Sequence, residues 1–294
     1  MEKKIALQLK AFKGDDFKEL IKTAASAGFK YFSIGLTDIN PLLDSDWKDY
    51  IIDIKKTLDE NGLKCIQTHA PYYNLLISAE VSDSDIDLAT IRSIEATKML
   101  GADLIAVHPR SFIIPDMPRE TAVDRKRSLE ENIKSFIPLV KEGEKLGVLI
   151  GIENLMKYPT QYPYFYSWIV DDQIELIDSL NSKNACAIWD FGHANLIKED
   201  SHSERIEKLG SRIKGTHVHN NDGHEDMHLP PFLPPKSYYT RCSVDWNSTL
   251  SALSKTGYDG YLTLEVVYNV EHCLKEYFEY SYHSVSKLYE ILKG

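Results

Sequence analysis

Apolar residues recur along this chain with two alternating periods. Short, almost continuously apolar runs lie at residues 5–9, 31–36, 64–69, 104–108, 148–153, 185–190, 213–219 and 261–266, the pattern of strands buried on both faces. Between them, apolar residues return every three or four positions over 16–27, 47–61, 84–100, 122–146, 171–182, 203–209, 246–255 and about 270–292, which predicts amphipathic helices. Glycine follows the last periodic residue at 28, 62, 101, 147, 210 and 257, where a helix end calls for the left-handed conformation. Eight strands each followed by a helix, at roughly 35 residues per unit, predict an α/β fold of the (β/α)8 barrel type. An open doubly wound sheet would carry a Gly-rich phosphate loop after its first strand, and LQLKAFKGDD has none. No linker, low-complexity tract or shift of composition divides the 294 residues, so one domain over 1–294 is expected.

Four of the late apolar runs close on a metal-binding type of side chain: Glu153 in LIGIENL, Asp190 in ACAIWDFGH, His219 in IKGTHVHNND and Glu265 in GYLTLEVV. One such residue would be an ordinary hydrogen-bonded core group. Four successive strand ends point to a shared partner, because a buried carboxylate is costly unless something positive faces it. A divalent cation (Mn, Co, Zn or Mg) is the simplest choice. In a barrel the C-terminal strand ends share one mouth. That placement adds His69 and His108, which close the third and fourth strands, and His193, three residues past Asp190. Asp226 and His228 join them as a D-x-H pair in the loop after the seventh strand. Nine N/O ligands exceed what one ion uses at about four to six coordination, so more than one ion is allowed for.

Charge and cysteine usage narrow the partners. Lys plus Arg total 34 against 44 Asp plus Glu, a formal net charge of −10, which argues against a nucleic-acid partner. Cys65, Cys186, Cys242 and Cys273 show no CxxC spacing, which fits reduced thiols in a cytoplasmic protein. MEKKIALQLK reads as a first strand and not as a signal peptide, and no apolar run approaches the ~20 residues of a membrane span. Homo-oligomerisation is left open. Candidate substrate contacts are Arg110, Lys236 and Arg241 for a phosphate or hydroxyls. Trp189, Tyr72, Tyr73, Tyr162 and Phe165 are candidates for packing on a ring. Four of the twelve prolines fall in the segment 227–244, and residues 230–239 are expected to lid a small cavity. His202, His224, His272 and His283 lack partner spacing and read as solvated.

WDFGHAN, HVHNNDGHEDMHLPP and LTLEV carry a resemblance as well. With its eight-unit rhythm, the chain resembles the xylose isomerase-like TIM barrel superfamily, which includes sugar-phosphate isomerases and epimerases and the endonuclease IV group. The resemblance implies that Glu153, Asp190, His219 and Glu265 hold one divalent ion. His219 is chosen over His217 because it stands three residues before Asp222, in a pattern resembling H-x-x-D. His217 would then hydrogen-bond beneath the ion or touch substrate. Endonuclease IV is similar too, and its three zinc sites would fall on His69, His108 and Glu153; on Glu153, Asp190, His219 and Glu265; and on His193, Asp226 and His228. Against it, NLMKYPTQYPYFY lacks that group's Gly-rich signature, WDFGHAN stands in place of its DTCH-like run, and HLPP follows Asp226 as in sugar-acting relatives. The resemblance therefore implies a metal-dependent sugar or sugar-phosphate isomerase or epimerase. Glu153 and Glu265 would move a proton through an enediolate. The alternatives are a trinuclear zinc hydrolase acting on abasic DNA and a non-catalytic binding barrel.

Overall fold

The computed structural model describes residues 2–11, 15–72, 82–110, 125–156, 166–233, 244–268 and 272–294. Eight parallel strands form one sheet: β1 (Ile5–Lys10), β2 (Tyr31–Gly35), β3 (Lys64–His69), β4 (Leu104–Val107), β5 (Leu149–Glu153), β6 (Ala185–Asp190), β7 (Ile213–His217) and β8 (Leu262–Leu264). Neighbours in sequence are neighbours in space, and β1 also pairs with β8. A single parallel bridge, Val218 to Leu264, closes the cylinder. There the Val218 amide donates to the Thr263 carbonyl at 2.8 Å and the Glu265 amide donates to the Val218 carbonyl at 3.0 Å. The expected (β/α)8 barrel is therefore observed.

The helices are α1 (Asp15–Ser26), α2 (Asn40–Leu43), α3 (Trp47–Glu60), α4 (Asp83–Met99), α5 (Arg125–Leu146), α6 (Val170–Ser179), α7 (Phe191–Asn195), α8 (His202–Leu209), α9 (Trp246–Lys255) and α10 (Leu274–Lys293). Eight answer to the apolar periodicity. The other two, α2 and α7, are each about one turn long, too short to generate a period. Gly147, at the end of α5, illustrates the stop signal. Its φ of 69° lies in the region where a Cβ is disfavoured.

The alternation of strand side chains divides the interior in two. Outward residues such as Leu7, Leu9, Ile150, Ile152 and Trp189 pack beneath the helices in the main apolar core. Inward residues Leu104, Ala106, Cys186 and Ile188, with Leu149, make a small separate cluster inside the cylinder. Gly151 and Gly215 make room for it. A Cβ on Gly151 would meet Ile188 Cγ1 at 2.5 Å, and one on Gly215 would meet Ile188 Cδ1 at 2.6 Å. Above this cluster the lumen turns polar. Ile188→Ala is expected to cost about 2–5 kcal/mol of stability in urea unfolding, the usual range for emptying a packed aliphatic site. A loss below about 1 kcal/mol would mean that the lumen is not close-packed there.

Candidate metal centre

The polar end of the barrel is built from the last inward residue of each late strand. Glu153 ends β5, Asp190 ends β6 and His217 ends β7, while Glu265 follows β8 directly. The ladder sets their depth: Asp190 lies opposite His217 in register, and Glu153 lies opposite Ile188. One ligand atom from each of Glu153, Asp190, His217 and Glu265 lies within 4.8 Å of all the others. His217 Nδ1 is the hub, 2.9 Å from Glu153 Oε1, 3.1 Å from Glu265 Oε2 and 3.9 Å from Asp190 Oδ2.

Two further groups adjoin this quartet. His69 and His108 face the other oxygen of Glu153, with Nε2 to Oε2 distances of 3.2 and 3.3 Å. His193, His219, Asp226 and His228 form the outer group. In it, Asp226 Oδ2 is 3.0 Å from His228 Nε2 and 3.6 Å from His193 Nε2. The His219 and His228 rings stack at a centroid distance of 3.9 Å. Glu153 thus turns one oxygen to each of two ligand groups.

Backbone acceptors fix the direction of three imidazoles. His69 Nδ1 lies 2.8 Å from the Ala70 carbonyl, His193 Nδ1 2.9 Å from the Asn154 carbonyl, and His228 Nδ1 3.2 Å from the Glu265 carbonyl. A carbonyl only accepts, so each Nδ1 carries the proton and each Nε2 is aimed inward. Asn154 also clamps the end of β6, donating to the Asp190 carbonyl at 2.9 Å and accepting from the Asp190 amide at 2.7 Å. Asp190 caps α7 by accepting from the His193 amide at 2.6 Å, which folds His193 back over the mouth. This local turn is what WDFGHAN encodes. Gly192 in that turn is required by contact, since a Cβ there would stand 1.8 Å from His219 Cε1.

The charges are mutually dependent. Burial alone would raise the carboxyl of Glu153, but His217 and His108 hold it well below the usual range. Burial likewise opposes ionisation of Glu265 and Asp226, and the neighbouring histidines keep both low. His193 and His217 are pushed down by burial yet held well above the ordinary value by the carboxylates. His228 is kept at about 9 against burial by Asp226. His108 differs, because burial outweighs Glu153 and lowers it.

The donor set fits a divalent ion. His69 Nε2, Glu153 Oε2, Asp190 Oδ2 and Asp226 Oδ1 are buried and make no hydrogen bond. An unmet polar atom at such depth is costly, and four aimed at one mouth are what a cation would satisfy. Carboxylates mixed with imidazole suit Mn, Co, Zn or Mg.

The family model for the xylose isomerase-like TIM barrel matches residues 21–279. The chain belongs to that family. It is 26 % identical over 225 residues to the uncharacterized protein MJ1311 of Methanocaldococcus jannaschii, covering 73 % of this chain and 70 % of that one. Its fold is similar to a D-tagatose 3-epimerase-like protein, with a TM-score of 0.71, 20 % identity and 98 % of each chain covered. It is similar also to the 3-keto-D-glucoside 4-epimerase YcjR from E. coli, with a TM-score of 0.71, 18 % identity, and 98 % and 99 % covered.

Two expectations, for Trp189 and His202, need correction. The histidine atom that gathers within 4.8 Å of Glu153, Asp190 and Glu265 belongs to His217, which lies level with Asp190 in the ladder. His219 sits one layer higher, with its Nε2 3.1 Å from Asp190 Oδ1 and 3.7 Å from Asp226 Oδ1. Trp189 does not face the mouth. The period of two turns it away from its neighbour Asp190 into the helical layer, where its Nε1 donates to His202 Nε2 at 3.1 Å and the Arg205 guanidinium lies over the ring. His202 is accordingly half-buried and partnered, while His224, His272 and His283 are exposed as expected. Arg110 ion-pairs with Asp87. Tyr72 does stand at the mouth, its ring 5.0 Å from that of His69 and 4.9 Å from that of His108. Tyr73, Tyr162, Phe165, Lys236, Arg241, Cys242 and most of the expected lid lie outside the described residues. Cys65, Cys186 and Cys273 are free thiols. Among the described residues, no helix is long and apolar enough to cross a membrane.

Sequence reasoning missed Gln8, Ser33 and Gln67, which floor the site. Ser33 Oγ donates to Gln8 Oε1 at 2.9 Å, and Gln8 Nε2 donates to Glu265 Oε1 at 2.6 Å. Gln67 Nε2 lies 2.8 Å from His217 Nε2. Gln67 stands two residues before His69 on the same face of β3, and Gln8 and Ser33 join it across the ladder. Gly192→Ala is expected to destabilise the fold by about 1–3 kcal/mol through overpacking. Most of that cost should disappear in a His219→Ala background, as a double-mutant cycle in urea would read directly. Equal costs in both backgrounds would show that the ring is not what demands glycine.

Proposed function

We propose that this protein is a divalent-metal-dependent sugar or sugar-phosphate isomerase or epimerase, with Glu153, Asp190, His217 and Glu265 holding the ion. One observation carries the proposal: two glutamates flank a single imidazole nitrogen, at 2.9 and 3.1 Å, at the open end of a barrel. A bound ion would supply Lewis acidity, drawing electron density from a substrate carbonyl and its neighbouring hydroxyl. The chain's own carboxylates do the proton work. Glu265 is the more accessible of the two, with 12 % of its side chain exposed against 1 % for Glu153. It is held in place by Gln8. One glutamate takes the proton from the carbon beside the carbonyl and the other returns it, to the same carbon for epimerisation or to the next for isomerisation. Tyr72 offers a ring face beside the histidines on which a sugar can pack. The solved structures of similar fold named as sugar epimerases accord with this proposal, although at 20 % identity or less they speak to the fold alone.

A second reading is favoured by the arrangement around Glu153, whose two oxygens serve different ligand groups. Together with His193, Asp226 and His228, that arrangement suits a trinuclear zinc phosphodiesterase. The net charge of −10 weighs against a duplex, whose binding rests on Lys and Arg contacts to phosphate.

Glu153→Gln and Glu265→Gln should each lower turnover by about 10²- to 10⁴-fold, the usual contribution of a proton-transfer group. With a ketose in D2O, the wild-type chain should wash deuterium into the carbon beside the carbonyl and neither variant should. Full exchange in both variants would remove the glutamates from the acid–base role.

Substrate class is tested by giving the Mn²⁺-, Co²⁺- or Zn²⁺-loaded protein a panel of ketoses and ketose phosphates beside an abasic-site duplex at low salt. Turnover of a ketose is expected, and the ion count per chain should be determined on the same sample. Strand cleavage at catalytic protein concentration, with three zinc ions per chain and no sugar converted, would put the hydrolase first.

A further inference from the structure

The ladder stacks the inward residues of β1, β2 and β3 in two layers. Gln8, Ser33 and Gln67 make the lower one, and Lys10, Gly35 and His69 make the upper one. Each upper residue stands two positions past a lower one, so both layers share the inward face. Lys10 is therefore the last inward residue of β1, at the rim of the mouth, and it is exposed. Its base is held firmly. The Lys10 amide donates to the Tyr268 hydroxyl at 3.1 Å, and the next amide, of Ala11, donates to the Gly35 carbonyl at 2.9 Å.

Gly35, between Lys10 and His69, is glycine for no reason of the fold. Its φ is not among the positive values, and a Cβ there would meet nothing closer than the Lys10 Cα, at 3.5 Å. A side chain could stand at this point of the rim, and none does. Lys10 and His69 are thus two strand spacings apart, roughly 10 Å, with only backbone between them at that level.

Charge divides the mouth along the same line. The inward ends of β5, β6 and β8 bear Glu153, Asp190 and Glu265, and Asp226 joins them from the loop after β7. The corresponding positions on β1 to β4 are Lys10, Gly35, His69 and His108, without an acid. Arg110, beyond His108, is already paired with Asp87. Lys10 makes no ion pair among the described residues. An anionic group entering this mouth is repelled by the carboxylate half and attracted to the Lys10 side. The length fits as well. Gln8 donates to Glu265 at 2.6 Å, and Lys10 lies two residues further along the strand. That rise is about 7 Å, close to the reach of a five- or six-carbon ketose from its carbonyl to a charged far terminus.

We propose that Lys10 sets substrate specificity, its ammonium binding a phosphate or carboxylate at the end of the substrate remote from the reacting carbons. This rests on the isomerase or epimerase reading and narrows it to anionic sugars. Ribulose phosphate, ribulose and fructuronate are compared on the Mn²⁺-loaded wild-type chain, Lys10→Met and Lys10→Arg, with melting as the check on folding. Lys10→Met keeps the apolar stem and removes the charge. It should lower the preference for ribulose phosphate over ribulose in kcat/KM by about 10- to 100-fold, the worth of one charge-assisted hydrogen bond, and through KM more than kcat. Lys10→Arg should keep most of that preference. Calorimetric titration of the same compounds needs no turnover and so separates the two readings. Binding of ribulose phosphate or fructuronate that weakens about tenfold or more in Lys10→Met and is kept in Lys10→Arg supports the proposal even if no ketose is converted, a result that would refute only the isomerase reading. The anion bound more tightly identifies the terminus as phosphate or carboxylate. Wild-type protein that binds neither anion, that uses ribulose as well as both anions, or that loses no affinity for either on Lys10→Met would overturn the proposal.

Discussion

Everything at the mouth of this barrel answers to one constraint, the burial of Glu153. Its side chain is almost completely shielded, yet the surrounding histidines keep it ionised. A charge at that depth is tolerable only if both oxygens find positive or donating partners. His217 meets Oε1 on one side, while Oε2 lies beside His69 and His108 without a hydrogen bond, an atom that a cation would satisfy. The backbone carbonyls of Ala70, Asn154 and Glu265 then hold neighbouring rings so that their inner nitrogens converge. The convergence of so many possible ligand atoms thus answers a burial problem that the strand ends create.

The lumen beneath is graded to suit. Leu104, Leu149, Cys186 and Ile188 close it with apolar volume, and Gly151 and Gly215 are glycine because those neighbours occupy the space of a Cβ. A polar layer of Gln8, Ser33 and Gln67 lies between that plug and the ligands. Hydrocarbon in this layer would leave Glu265 and His217 with unmet hydrogen-bonding atoms. The two carboxamides are therefore part of the site, although they are not ligands.

Much of this was legible in the sequence, and the exceptions have physical reasons. The eight strands and the helices between them follow from period alone, as does the inward direction of Glu153, Asp190 and Glu265. The choice between His217 and His219 does not follow from it. The two residues share a face, so periodicity treats them alike, and only the ladder partner Asp190 fixes which lies deeper. Trp189 was decidable, because a residue adjacent to an inward Asp190 must point outward. The carbonyl partners of His69, His193 and His228 leave no trace in side-chain identity. Gln8 and Gln67 were missed because a polar residue within an apolar strand draws attention only once its neighbours in space are known.

The closure of the cylinder has a consequence for how the molecule comes apart. Where β7 meets β8 the sheet is joined by the single Val218 bridge, with Thr216 Oγ1 adding a bond to the Tyr261 carbonyl at 2.9 Å. His217 stands on one lip of that seam and Glu265 on the other, 3.1 Å apart. The weakest join in the barrel wall is therefore also the line across which the site is assembled. Whatever spans those two side chains laces the wall shut, and a seam that parts for an instant takes the site with it. Amide exchange at Val218 and Glu265 would accordingly follow occupancy of the mouth more closely than exchange in any helix.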